Sequence, residues 1–282
     1  MPGQTDTFLD RILADKRQEL ERRQQKEPVE VLQRRVAELS SQWSRGDQWS
    51  LVQAIMEGPR GPHAGGKRIQ LIAEVKKASP SKGRLVSVLE HRALGRTYTI
   101  FGAAGISVVT EEKHFQGSLQ FLYDLRVSLD GYYPGGRPSL LRKDFLFDPY
   151  HLWEARAYGA DAVLLIAAIL SRDEMASLMA QAGEMEMECL VEVHDERDLQ
   201  RFLLLSTLQL LALVGQDTVQ EGLSHAAVRF SRCTLRSRSP SKSSLASRTS
   251  IPTTCSPGPM LTATRSLRRT TSHWTSPSTR RM

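Results

Sequence analysis

Two charged residues lie inside an apolar segment that has the pattern of a buried strand. The segment reads LIAEVKKASPSKGRL over residues 71–85, and Glu74 and Lys76 lie in its apolar part. Side chains two residues apart in a strand point to the same face of the sheet. A carboxylate and an ammonium on one inward face could bind a charged substrate and transfer protons. The alternative is a buried ion pair that only fixes the local geometry.

The segment LLRKDFLFDP predicts a further inward-pointing charge. Lys143 shares a face with Leu141 and Phe145, while Arg142 and Asp144 point the other way. An ammonium held beside an aromatic ring could act as a general acid on a carbonyl oxygen. The alternative is a lysine that reaches from the strand end to water.

The segment CLVEVHDERDL likewise carries a carboxylate near the end of its predicted strand. Glu192 shares a face with Leu190 and His194, so we expect it to face Lys76 or Lys143 across a barrel. A single carboxylate at a strand end is more often solvated. Three strands that all end in inward charges are more typical of an active site.

The loop Ser79–Gly83, which reads SPSKG, has the composition of an anion site. Its hydroxyls, its ammonium and a glycine that lets the backbone approach closely would suit a phosphate. An ordinary solvated turn has the same composition, and both interpretations stay open at this point.

These residues lie on a regular alternation of predicted strands and helices. The strand-like segments are Ile69–Val75, Gly105–Thr110, Ser139–Arg142, Ala162–Ile166 and Cys189–Val193. The helix-like segments between them are Val88–Phe101, Leu119–Leu129, Pro149–Tyr158 and Arg172–Gly183. The strand spacing of about 25 to 35 residues is that of a βα unit, which predicts a parallel sheet. Charges at the strand ends favour a closed (βα)₈ TIM barrel over an open doubly wound sheet.

The chain divides into three predicted regions. Residues 1–66 form an N-terminal helical extension, and residues 67–200 hold the first five βα units of the barrel. Residues 201–282 form an atypical Ser/Thr/Arg-rich tail, in which the last three βα units are absent or degraded.

The tail also differs from the rest of the chain in charge. The chain carries a net charge of +7, but residues 222–282 contain eleven Lys or Arg and no Asp or Glu. Of these 61 residues, 24 are Ser or Thr. Such a composition cannot readily bury a core. We therefore expect the tail to be disordered or to be translated out of frame. A shifted frame is considered because the length of the tail suits the rest of a barrel, whereas its sequence pattern does not.

Several classes of protein are disfavoured by the sequence. Cys189, Cys233 and Cys255 show neither metal-ligand spacing nor a disulfide framework, so no metal is expected. No apolar run reaches the roughly 20 residues that span a bilayer. The N-terminus lacks the pattern of a secretion signal, which predicts a cytoplasmic protein.

Four segments closely resemble the indole-3-glycerol phosphate synthase family, an enzyme family of tryptophan biosynthesis. The segments are IAEVKKASPSKG, GISVVTEEKHFQGS, LLRKDFLFDPYHLWEARAYGADAVLLIAAIL and LVEVHDERDL. The resemblance covers residues 5–200. It implies a (βα)₈ barrel that converts 1-(2-carboxyphenylamino)-1-deoxyribulose 5-phosphate to indole-3-glycerol phosphate, with release of CO₂ and water and without a cofactor.

The resemblance also implies roles for individual residues. Lys143 would be the general acid at the carbonyl oxygen, and Glu192 its partner in the proton transfers of dehydration. Lys76 would bind the substrate carboxylate, and Glu74 would orient the lysines. The resemblance further implies that Ser79 binds the phosphate, and that Phe145 and Leu164 line the pocket for the anthranilate ring.

The resemblance ends after Asp198. The family's sixth strand carries a GINNR-like run, its seventh ends in SESG and its eighth in a GS pair, and these hold most of the phosphate site. None of these runs is present in this sequence. We therefore expect the chain as it stands to be inactive or insoluble.

Two other functions compete with the synthase. One is another phosphate-binding TIM-barrel enzyme, and the other is a non-catalytic protein whose basic tail binds nucleic acid. For the synthase we expect a small phosphorylated substrate, no nucleic acid and no membrane. The protein would be a monomer or would associate with other enzymes of tryptophan biosynthesis.

Overall fold

The computed structural model describes residues 7–42, 50–57, 70–132, 136–195, 197–198, 201, 210–213 and 229–231. All of them belong to one unit of the chain, residues 1–237. The predicted boundary between residues 66 and 67 lies outside the described residues.

Among the described residues, three helices precede the sheet and four follow its strands. They are α1 Phe8–Lys26, α2 Val29–Gln42, α3 Leu51–Glu57, α4 His91–Ile100, α5 Leu119–Leu129, α6 Pro149–Ala157 and α7 Arg172–Glu184. Side-chain oxygens of Ser118, Asp148 and Ser171 accept backbone N–H groups at the starts of α5, α6 and α7. Such caps fix where each helix begins. No helix in these ranges is long and apolar enough to cross a membrane.

The strands form one large sheet and a small hairpin. They are β1 Ile72–Val75, β2 Ala78–Ser79, β3 Gly83–Arg84, β4 Gly105–Val109, β5 Ser139–Lys143, β6 Ala162–Ile166, β7 Glu188–Val193, β8 Leu210–Leu213 and β9 Arg229–Ser231. The large sheet has the order β1-β4-β5-β6-β7-β8-β9 and is parallel from β1 to β8. The five predicted strands and the helices between them lie close to their predicted bounds.

Side chains alternate along each central strand and form two apolar clusters. On the outer face, Leu140 and Leu165 pack with the helices. On the inner face, Leu141, Leu164 and Leu190 pack together. Burial of such side chains stabilises the fold by about 1.5–3 kcal/mol each. The inner face has the composition of the interior of a barrel.

Helix α3 covers the inner cluster at the amino ends of the strands. Leu51 belongs to the inner cluster, and its side chain lies where a Cβ on Gly105 would be. Ser50 Oγ donates to Glu188 Oε1 at 2.5 Å, and the N–H of Val52 donates to Glu188 Oε2 at 3.0 Å. The start of α3 is therefore fixed to the first residue of β7.

Helix α1 is joined to the outer face by six buried or nearly buried charged side chains, here called the charged cluster. Its members are Lys16, Glu19, Arg23, Arg142, Asp144 and Glu154. Lys16 Nζ lies 3.1 Å from Asp144 Oδ1 and 3.0 Å from Glu19 Oε1. Three bases and three acids compensate one another, which a buried charge requires.

Asp144 has several partners in and around the charged cluster. It accepts hydrogen bonds from Thr110 Oγ1 at 2.7 Å and from the N–H of Phe145 at 2.9 Å. Burial opposes its ionisation, but Lys16 and Arg142 outweigh that effect and hold the pKa of Asp144 well below its usual range. Asp144 is therefore an anion that positions the chain next to Lys143.

The predicted tail is described only in part. Strand β8 continues the parallel order by one strand, and β9 pairs antiparallel with β8. A (βα)₈ barrel is built from parallel strands alone, so β9 departs from the barrel pattern. The expectation that residues 201–282 are disordered or out of frame concerns residues that mostly lie outside the described part.

Replacement of Lys16 tests whether the charged cluster holds α1. Lys16→Ala leaves two buried carboxylates without their ammonium, and we expect it to lower the free energy of unfolding by roughly 3–5 kcal/mol. Arg17→Ala on the exposed face of the same helix is the control and should change it by about 0.5 kcal/mol or less. Chemical denaturation measures both, and equal effects would show that the contact does not stabilise the fold.

Candidate active site

The first pair of predicted site residues lies at the carboxyl end of β1. Glu74 Oε1 and Lys76 Nζ form an ion pair at 2.5 Å, and both side chains are about one-third exposed. The hydroxyl of Tyr98 on α4 donates to the backbone carbonyl of Glu74 at 3.3 Å. The predicted shared orientation of Glu74 and Lys76 is therefore present, with the pair open to solvent rather than sealed in the core.

The second pair joins two strands that are not neighbours. Lys143 Nζ at the end of β5 donates to Glu192 Oε2 near the end of β7 at 3.4 Å. Strand β6 lies between them in the sheet, so the two side chains meet above its inner face. Of the two partners expected for Glu192, the structure selects Lys143.

Glu192 has a further contact on its other oxygen. His194 Nε2 lies 3.1 Å from Glu192 Oε1. The side chains of Lys143 and His194 are 35% and 38% exposed, while that of Glu192 is 15% exposed. One carboxylate thus connects an ammonium with an imidazole, and the two side chains are exposed to a similar degree.

The neighbours of Lys143 point away from the site, as the alternation predicts. Arg142 and Asp144 are buried in the charged cluster on the outer face. Phe145 and Leu164 belong to the inner cluster. The structure therefore brings the predicted apolar side chains and the Lys143–Glu192 pair to the same face of the sheet.

The predicted phosphate ligand lies on the β2–β3 hairpin. Ser79 is buried, and its Oγ accepts the backbone N–H of Lys82 at 3.2 Å. Gly83 closes the hairpin with φ of +66°, a conformation that favours glycine. The N–H of Ala78 donates to the carbonyl of Phe115 at 3.1 Å, which ties the hairpin to the loop after β4.

That loop, residues 111–118, is held by a buried carboxylate. Glu111 is 1% exposed and accepts the backbone N–H groups of Lys113, His114 and Phe115 at 2.7–3.2 Å. Gly117 lies against the backbone of Val109 and Glu111. These internal hydrogen bonds indicate that the loop has one fixed conformation and supports the hairpin.

Sequence reasoning missed two residues of the site. Phe115 lies with its ring centroid 6.3 Å from that of Phe145 and so adds a second aromatic ring to the apolar wall. Ser107 is in register with Glu74, is 5% exposed, and its hydroxyl has no hydrogen-bond partner among the described residues. The signal for Ser107 was a polar residue at an inward position of an otherwise apolar strand.

In the described ranges, no group of three or more His, Cys, Asp or Glu side chains has an arrangement that could hold a metal ion. The groups at the strand ends are instead paired acids and bases. Such side chains at the carboxyl ends of parallel strands, above an apolar interior, define the active-site end of a βα-barrel enzyme.

Comparison with known proteins identifies the family. The family profile described as indole-3-glycerol phosphate synthase matches residues 9–210, well over half of the chain. The chain therefore belongs to the indole-3-glycerol phosphate synthase family.

Individual relatives that carry the name indole-3-glycerol phosphate synthase also match this chain. The one from Roseiflexus castenholzii is 46% identical over 200 residues, which are 70% of this chain and 68% of the relative. The one from Burkholderia multivorans is 41% identical over 71% of this chain and 69% of the relative. The one from Dehalococcoides mccartyi is 38% identical over 74% of both chains.

Family membership confirms the predictions of family, fold class and enzyme class. The family has the TIM-barrel fold, and its members are carboxy-lyases of tryptophan biosynthesis. The match ends at residue 210, some residues beyond Asp198, where the resemblance was predicted to end.

Replacement of Gly117 tests whether the 111–118 loop is a fixed support. A Cβ at this position would lie 2.7 Å from the carbonyl oxygen of Glu111 and even closer to that of Val109. We expect Gly117→Ala to destabilise the protein by about 1–3 kcal/mol, as overpacking does. Gly183→Ala in α7 meets nothing within 4 Å and should be stabilising by up to about 1 kcal/mol. Chemical denaturation compares the two, and a neutral Gly117→Ala would show that the loop adapts.

Proposed function

We propose that residues 70–198 carry the acid–base groups of an indole-3-glycerol phosphate synthase. The reaction closes a ring in 1-(2-carboxyphenylamino)-1-deoxyribulose 5-phosphate, with loss of CO₂ and water. The observation that carries the proposal is the contact between Lys143 and Glu192 across β6, at 3.4 Å. It places an acid and a base together above an apolar surface, where fixed charges act most strongly.

Lys143 is the general acid in this proposal. Ring closure turns a carbonyl oxygen into a hydroxyl, which requires a proton donor at that oxygen. Lys143 lies at an inward position between Leu141 and Phe145, and Glu192 holds its ammonium in place. Glu192 then exchanges protons with the substrate during dehydration.

Lys76 and Glu74 bind and orient in this proposal. The Lys76 ammonium suits the substrate carboxylate, and its contact with Glu74 fixes its position before the substrate arrives. Phe145 and Leu164 form an apolar wall that suits the anthranilate ring. The hydroxyl of Ser79, on a hairpin that also carries the exposed Lys82, suits the phosphate.

The proposal extends to the sequence beyond the family match. The tail lacks the GINNR-like, SESG-like and GS-like runs, and its last 61 residues contain no acid. A shifted reading frame explains a tail of suitable length with an unsuitable pattern. The enzyme with its frame restored would be cytoplasmic, a monomer or associated with other enzymes of its pathway, and would not bind nucleic acid.

Sequencing of the DNA across the codons for residues 190–225 tests the frame. We expect another frame to continue into GINNR-like, SESG-like and GS-like runs. If only the present frame is open, the tail is native, and its eleven basic residues favour the nucleic-acid alternative. Binding that weakens steeply with salt would then support that alternative.

Two substitutions in the frame-restored chain test the acid and the base. We expect Lys143→Ala and Glu192→Gln each to lower kcat by about 10²–10⁴-fold, the usual contribution of a general acid or base. Lys26→Ala at the exposed end of α1 is the matched lysine control and should leave kcat unchanged. Product formation is followed in a steady-state assay. Turnover within about tenfold of the parent in Lys143→Ala would refute the role of this lysine as the general acid.

A further inference from the structure

The proposed reaction consumes one proton from the solvent in each turnover. Formation of the C–C bond turns the carbonyl into a hydroxyl and takes up one proton. The bond to the carboxylate then breaks, and its electron pair returns to the ring as CO₂ leaves. The hydroxyl departs as water with a second proton, while one proton is lost from the ring carbon next to nitrogen. Two protons are taken and one is returned, so the general acid must be recharged from water.

We propose that His194 passes this solvent proton through Glu192 to Lys143. The inference rests on the proposed function and adds to it a residue that does not touch the substrate. His194 acts through Glu192, as a relay and positioning residue.

The contacts form a continuous line from Lys143 through Glu192 to His194. Lys143 Nζ lies 3.4 Å from Glu192 Oε2, and His194 Nε2 lies 3.1 Å from Glu192 Oε1. The two contacts use different oxygens of one carboxylate, so both can exist together, and rotation of the protonated carboxyl group carries a proton from the His194 side to Lys143. Because His194 follows the last residue of β7 and is 38% exposed, it can exchange protons with water.

An imidazole suits this position because histidine side chains ordinarily change charge between pH 5 and 8. Charged residues that follow His194 in the described part of the chain include Asp195, Asp198 and Arg201. Asp195 follows His194 and is exposed, and Arg201 donates to the carbonyls of Ala167 and Leu170 beyond β6. In the described residues, the side-chain ion pair of His194 is with Glu192.

The other histidines in the described part of the chain provide a contrast. His91 pairs with Asp124 at 2.9 Å and His114 with Asp15 at 2.8 Å, and both pairs lie on helices or loops outside the inner face. His151 is buried, and burial followed by the charge of Arg142 lowers its pKa well below the ordinary value. His194 is the one described histidine whose carboxylate partner also contacts a lysine at the inner face.

The first test needs no turnover and uses the full chain with its frame restored. With ¹⁵N-labelled histidine, the hydrogen bond to Glu192 should give the His194 Nε2 nitrogen a distinct ¹⁵N chemical shift. We expect Glu192→Ala to change it and Asp124→Ala, which removes the partner of His91, to leave it unchanged. If Glu192→Ala does not alter the His194 resonance, the contact does not exist in solution and the relay is wrong, whether or not the chain is active.

The second test uses turnover and separates the relay from the proposed function. A frame-restored chain that forms no product from the substrate contradicts the proposed function, and the resonance alone then decides on the relay. In an active chain, we expect His194→Ala to lower kcat by about tenfold with KM nearly unchanged, less than the loss of a direct proton donor. Added imidazole should restore kcat, because it supplies the proton from solution. His91→Ala is the control and should show neither effect. A His194→Ala variant with unchanged kcat, or with a loss that imidazole does not repair, overturns the relay.

Discussion

The alternation of side chains along β5 is the constraint on which the site depends. Three consecutive residues of this segment carry charged groups to opposite faces: Lys143 inward, and Arg142 and Asp144 outward. The outward charges are buried beneath α1 and are fully compensated there, which fixes the register of the strand end. A shift of one residue would bury Lys143 in the charged cluster and expose Asp144 to the inner face, at a large cost in unpaired charge.

Much of this arrangement could be predicted from the sequence, because side chains in a strand alternate between the two faces with a period of two residues. The inward set of Glu74, Lys76, Lys143 and Glu192 required only the alternation and the assumption of a parallel sheet. The partner of Lys16 could not be predicted, because Asp144 is 128 residues away and no local pattern relates them. One hint was present: Lys16 lies on the same helical stripe as Ile12 and Leu20, where a charge needs a buried partner. The support of the 111–118 loop by Glu111 was missed because backbone N–H groups leave no pattern in a sequence.

The difference between the outer and inner faces of the sheet explains why charged side chains can be held at the site. The outer face is sealed by helices and by the charged cluster, so its ionised groups serve the fold. The inner face is closed at the amino ends of the strands by α3 and is partly exposed at the carboxyl ends. Charges at the open end keep some contact with water, which lowers the cost of holding them ready for a substrate.

The contact of α3 with β7 also sets an order of events during synthesis. Ser50 and Val52 leave the ribosome early, but the carboxylate that fixes them belongs to Glu188, 138 residues later than Ser50. Asp144, the buried partner of Lys16, is likewise made 128 residues later than Lys16. Helix α1 therefore cannot reach its final contacts until Asp144 has been made, and α3 cannot reach its own until Glu188 has been made. Long-range closure of this kind makes folding slow and favours aggregation before the last strand arrives. The nascent chain thus lacks the contact that fixes α3 until the first residue of β7 has been made.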